Sequence, residues 1–108
     1  MFVRVDLTAA PPVVTLEEPA DCTRFHVQAA GPRDEAGLAA ALARSGAGRM
    51  QGDDAFIVID AVRSMAKSQV DEGWYTDFAQ MLDYAAGKGW LDAGGGAIQA
   101  HVEWETPA

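Results

Sequence analysis

The chain has 108 residues, 49% of them hydrophobic, enough for one domain that buries a core without disulfides or a structural metal. A formal net charge of −8 and the lack of any Lys/Arg cluster exclude nucleic acid and anionic membrane surfaces as partners. The single cysteine, Cys22, allows no internal disulfide and fits a reducing cytoplasm, and neither a signal segment nor an apolar run of the ~20 residues that span a membrane is present.

Residues 1–23 read as an edge hairpin or a loosely held extension. Phe2 to Leu7 alternates in part and suits a strand. Pro11 and Pro12 then prevent a central strand, because proline donates no ladder hydrogen bond. Val13 to Leu16 reads as a second short strand or an extended arm, and Glu17 to Asp21 as a polar turn.

The core is expected over residues 24–105. Arg24 to Ala29 alternates cleanly, with Phe25, Val27 and Ala29 on one face and Arg24, His26 and Gln28 on the other. Asp34 is positioned to cap a helix that runs to about Arg44, with Leu38 and Leu42 inward. Gly37 weakens this helix by ~1 kcal/mol relative to alanine, and Gly46 and Gly48 end it. Gly52-Asp53-Asp54 reads as a turn. Ala55 to Ile59 is a continuous apolar run, expected to be a strand buried on both faces. Asp60 then suits the N-cap of a short helix ending near Lys67. The alternative, one helix from Asp54 to Lys67, would surround its first turn with Phe56, Ile57, Val58 and Ile59, so strand followed by helix is favoured.

The strongest periodicity lies between Trp74 and Trp90. Trp74, Phe78, Met81, Leu82 and Ala85 recur on one helix face, Asp71 suits the N-cap, and Gly87 or Gly89 supplies the stop. Trp90 is placed to fold back on the last turn. Gly94-Gly95-Gly96 is a turn and not a phosphate loop, because a strand follows it rather than a helix. That strand, Ala97 to Glu105, places Ile98, Ala100, Val102 and Trp104 on one face and Gln99, His101, Glu103 and Glu105 on the other. The order from residue 24 is strand, helix, strand, helix, helix, strand. It predicts an α+β fold: a two-layer sandwich with a small mixed sheet and helices on one face. A right-handed crossover pairing the first two core strands in parallel is expected.

Few residues suggest chemistry. His26 and His101 are the only histidines, and both fall on polar strand faces. If those strands are neighbours, Arg24, His26, His101 and Glu103 form a polar cluster, and two imidazoles with a carboxylate suit zinc binding or acid–base work. No HxH, HExxH or CxxC spacing supports this, and a solvated sheet face is the ordinary reading of such residues. Cys22 follows Asp21, an acidic neighbour that disfavours a thiolate nucleophile. Asp53 and Asp54 lack a metal-loop pattern, and the serines lack a GxSxG context. Trp74, Trp90 and Trp104 are assigned to packing rather than to a ligand site. No catalytic residue, metal or cofactor is assigned.

Phe78, Met81, Leu82, Tyr84, Ala85, Gly89 and Trp90, followed by Ala100-His101-Val102-Glu103-Trp104, form the pattern FxxMLxYAxxxGW…AHVEW. It resembles small uncharacterised proteins of actinobacteria over residues 24–105. The resemblance implies no activity and transfers no catalytic residue.

The sequence therefore favours a small cytoplasmic, non-enzymatic binding domain that acts through a protein partner or by self-association as a homodimer. The alternative is a small-molecule-binding protein or enzyme built on His26, His101 and Glu103. The first predicts an open strand edge or apolar patch, and the second predicts that the two histidines meet.

Overall fold

The computed structural model describes residues 1–105. Its strands are β1 (Phe2–Asp6), β2 (Val13–Glu17), β3 (His26–Ala30), β4 (Gly48–Gln51), β5 (Asp54–Val58) and β6 (Ala97–Glu105). The helices are α1 (Glu35–Ser45), α2 (Ile59–Ala66) and α3 (Gly73–Gly87). The strands form one mixed sheet in the order β2-β1-β3-β6-β5-β4. The architecture is α+β, as the sequence predicts.

Alternation decides which way the sheet faces. Val3 and Val5 of β1, Val27 and Ala29 of β3, Ala55 and Ile57 of β5, and Ile98 and Ala100 of β6 are buried. They form one core with Leu38 and Leu42 of α1, Val62 of α2, and Trp74, Phe78 and Ala85 of α3. The intervening residues, among them Phe2, Arg4, His26, Gln28, Gln99, His101 and Glu103, are half-buried or exposed. The helices thus cover one face and leave the other open. α1 touches β1, β2 and β4, and α2 touches β2 and β5, so the sheet curls its two margins toward the same helix layer.

Residues 1–23 are integral to the sheet. β1 pairs antiparallel with β2 and parallel with β3, which makes β1 an interior strand and β2 an edge. The Met1 ammonium donates to the Asp21 carbonyl at 3.0 Å and ties the two ends of the hairpin segment together.

The long strand β6 changes partners midway. Ala97 to His101 pair antiparallel with β5, and Val102 to Glu105 pair parallel with β3. The other edge of its first half is met by the segment after α3. The Gln99 amide donates to the Trp90 carbonyl at 2.6 Å, and Leu91 bridges to Ile98.

Several local expectations are corrected. The first two core strands, β3 and β5, are not a parallel pair: β6 lies between them, parallel to one and antiparallel to the other. β5 is covered on one face only; Phe56 and Val58 are half-buried, and the Arg49 guanidinium lies 4.9 Å over the Phe56 ring. Gly48, expected only to help end the helix, opens the edge strand β4, which runs to Gln51. Asp60 does not cap α2, which begins at Ile59 after Val58; it lies in the first turn and pairs with Arg63 at 3.1 Å.

The other signals appear as local chemistry dictates. Asp34 caps α1 by accepting the Gly37 amide at 2.8 Å. A Cβ at Gly37 would lie 2.3 Å from the Asp34 carboxylate, which explains a glycine in the first turn. Gly46 ends α1 at φ 72°, in the left-handed region. Asp71 is not the N-cap of α3, which is Glu72; it stands one residue earlier and accepts the Gly73 amide at 3.1 Å. Gly89, at φ 77°, turns the chain so that the Trp90 amide returns to the Ala85 carbonyl.

Candidate functional site

The open sheet face is built from a register that brings two similar tripeptides side by side. β3 starts His26-Val27-Gln28 and the middle of β6 reads His101-Val102-Glu103. The strands are parallel, with Val27 beside Val102 and Gln28 beside Glu103. Both valines turn toward the helices. His26, Gln28, His101 and Glu103 therefore form a two-by-two block on the open face.

The block is tightly organised. The two imidazoles stack with centroids 5.4 Å apart and planes 20° from parallel. On its other side His26 stacks on Phe2 at 4.9 Å, so its ring is held between two flat neighbours. Glu103 spans both rings: one oxygen lies 3.4 Å from His26 Nε2 and the other 3.2 Å from His101 Nε2. The Gln28 side-chain oxygen Oε1 is 3.1 Å from His26 Nε2. One ligand atom from each of His26, His101 and Glu103 falls within 4.8 Å of the others. The His26 side chain is only 17% exposed, whereas that of His101 is 61% exposed, so the block has a seated half and a solvent-facing half.

Neighbouring charges are already paired. Arg4 contacts Glu105 at 3.2 Å, and Gln99 donates to Asp54 at 2.8 Å. Among the described residues no Lys or Arg pairs with Glu103, which leaves its carboxylate to the two imidazoles.

Arg24 stands apart from this block. It precedes β3 and lines a groove of about 670 Å³ beside the start of that strand, on the α3 side of the sheet. Here β6 runs on past the start of β3, and the segment from Ala20 to Phe25 leaves a gap beside α3. Phe25, Met81, Ala85 and Ile98 supply apolar walls, and Arg24, Asp77 and Gln80 are among the polar ones. Tyr84 and Trp90 also line it, with their rings edge to face at 5.8 Å. Trp90 folds back on the last turn as predicted, but on the outside, where it stays 43% exposed; Tyr84 is 61% exposed. No local pattern announces this groove, because three separate segments build it.

Cys22 lines the same groove without activation. Burial and the nearby Asp77 carboxylate push its thiol above the ordinary range, outweighing the N-terminal ammonium, so at neutral pH it stays protonated.

No helix among the described residues is long and apolar enough to cross a membrane. No protein-family model, curated protein or solved structure matches this chain.

Proposed function

We propose that the chain is a non-enzymatic binding domain that engages a basic protein partner at the groove between α3 and β6. The carrying observation is the aromatic pair Tyr84 and Trp90, left 61% and 43% exposed at a groove of about 670 Å³ with apolar walls. Trp, Tyr and Arg are the residue types that dominate binding energy at protein interfaces, and Trp90, Tyr84 and Arg24 line this groove together. Phe25, Met81 and Ile98 suit one apolar anchor side chain. The chain's charge of −8 steers a basic partner toward it and opposes the approach of a second copy, so a heterologous partner is favoured over a homodimer. The proposed setting is the cytoplasm, on the strength of the single unpaired Cys22. Kinship with small actinobacterial proteins is proposed on the sequence pattern alone.

A library of basic peptides, each with one aromatic or aliphatic anchor, tests this by titration into ¹⁵N-labelled protein. The expected result is amide and indole shifts at Trp90, Tyr84, Met81 and Arg24, lost in Trp90→Ala and Tyr84→Ser variants that keep the wild-type circular dichroism. Shifts confined to the open sheet face, or equal responses to acidic control peptides, contradict the proposal.

A further inference from the structure

We infer that His26, His101 and Glu103 form a binding site for a divalent transition-metal ion, best suited to Zn²⁺, on the open face of the sheet. The inference is independent of the groove and rests on the block alone.

Donor chemistry comes first. Two imidazole nitrogens and a carboxylate oxygen are borderline ligands that favour zinc and its late first-row neighbours over Mg²⁺ or Ca²⁺, which prefer all-oxygen sites. These three donors lie within 4.8 Å of one another. In a tetrahedral zinc site with bonds near 2.0–2.1 Å, neighbouring donors sit about 3.3 Å apart. Both histidine Nε2 atoms already lie 3.2–3.4 Å from an oxygen of Glu103, so side-chain rotation closes the set without moving a strand.

Preorganisation is the second argument. All three ligands project from two hydrogen-bonded parallel strands whose register places Val27 beside Val102. His26 is held between Phe2 and His101 by stacking on both faces. The ion would therefore meet one ligand fixed by packing and two that turn toward it.

The third argument is competition. A carboxylate clamped by arginine is a poor ligand, and here the nearby Arg4 is engaged by Glu105. Glu103 contacts the two imidazoles instead, and a metal ion would take the place of their shared N–H protons. The Gln28 side-chain oxygen, 3.1 Å from the same His26 Nε2, would give up that contact when the ion binds. Three protein ligands leave a fourth position directed to solvent, which water would fill.

Calorimetric titration of ZnCl₂ into chelator-treated full-length protein tests the site. One ion per chain is expected, with no heat from MgCl₂. Removing a direct ligand should cost at least what an outer partner does, so His26→Ala, His101→Ala and Glu103→Gln should each weaken binding about tenfold or more. His101 and Glu103 are exposed, so their variants keep the fold, checked by circular dichroism. Co²⁺ supplies a second reading: a visible absorption band of low-coordinate nitrogen–oxygen ligation in the wild type, absent in His101→Ala. Trp90→Ala should leave both titrations unchanged. Zinc binding of equal affinity in His101→Ala and Glu103→Gln, or no binding by the wild type, overturns the inference and leaves the block a hydrogen-bonded network only.

Discussion

The indole N–H of Trp74 donates to the carbonyl of Pro19 at 2.6 Å, a bond between residues 55 apart in the chain. It fastens the first turn of α3 to the loop that carries the hairpin into β3. The same ring stacks on Phe78 at 4.6 Å, so one side chain serves both the core and the loop.

Trp74→Phe keeps an aromatic ring against Phe78 but removes the donor, and the Pro19 carbonyl retains only a weak 3.8 Å contact from the Cys22 thiol. Loss of the bond should lower unfolding free energy by about 1–3 kcal/mol. Trp74→Ala, which also empties the site, should cost about 3–5 kcal/mol. Urea denaturation separates the two. Wild-type stability in Trp74→Phe would show that the bond contributes nothing.

Much of this architecture is legible in the residues because it depends on local periodicity. Trp74, Phe78 and Ala85 mark the buried stripe of α3, and the alternation from Ala97 to Glu105 marks β6 and its two faces. Asp34 announces its cap, because capping needs only a carboxylate three residues before an amide. Strand order is different. Period-two patterning says which face a side chain takes, and nothing in it says which strand lies alongside. The adjacency of β3 and β6 therefore cannot be read from alternation. The alternation that groups Arg24 with the histidines begins two residues ahead of β3, where the chain is not yet in the sheet.

Acid should weaken the turn that feeds β6. Asp92 accepts the amides of Gly96 and Ala97 at 3.0 and 3.2 Å and meets Arg49 at 3.4 Å. Desolvation works to raise its pKa, but the Ala97 and Gly96 amides, with Arg49, outweigh it and hold the carboxyl below its usual value. A depressed folded pKa stabilises the fold above the unfolded value of about 3.9, and that contribution is lost as pH falls through the folded value. Asp92→Asn should therefore melt below wild type at pH 5–7, and the two curves should converge below about pH 3.9. Thermal melts across this range check it; a gap that persists undiminished in acid would assign the effect to geometry rather than charge.

The edge strand β4 shows what local pattern misses. Gly48-Arg49-Met50-Gln51 holds one large apolar residue and follows a helix stop, so nothing in it resembles a strand. It becomes one because β5 offers a partner: Gly48 lies opposite Ile57, and the Val58 amide donates to the Ala47 carbonyl at 2.7 Å. Glycine makes this approach feasible. A Cβ at position 48 would sit 2.2 Å from the Phe56 carbonyl oxygen and 3.1 Å from the Ile57 Cα, both backbone atoms that cannot rotate away. Gly48→Ala must displace β4 from β5 and should cost about 1–3 kcal/mol. Gln51→Ala, exposed at the far end of the same strand, should stay within about 0.5 kcal/mol of wild type. Amide hydrogen exchange locates the damage: protection should fall at Val58 and along the β4–β5 ladder while α3 keeps its own. Unchanged protection at Val58 in Gly48→Ala would mean that the two strands stay paired around the added Cβ, and that the close approach at Gly48 does not require glycine.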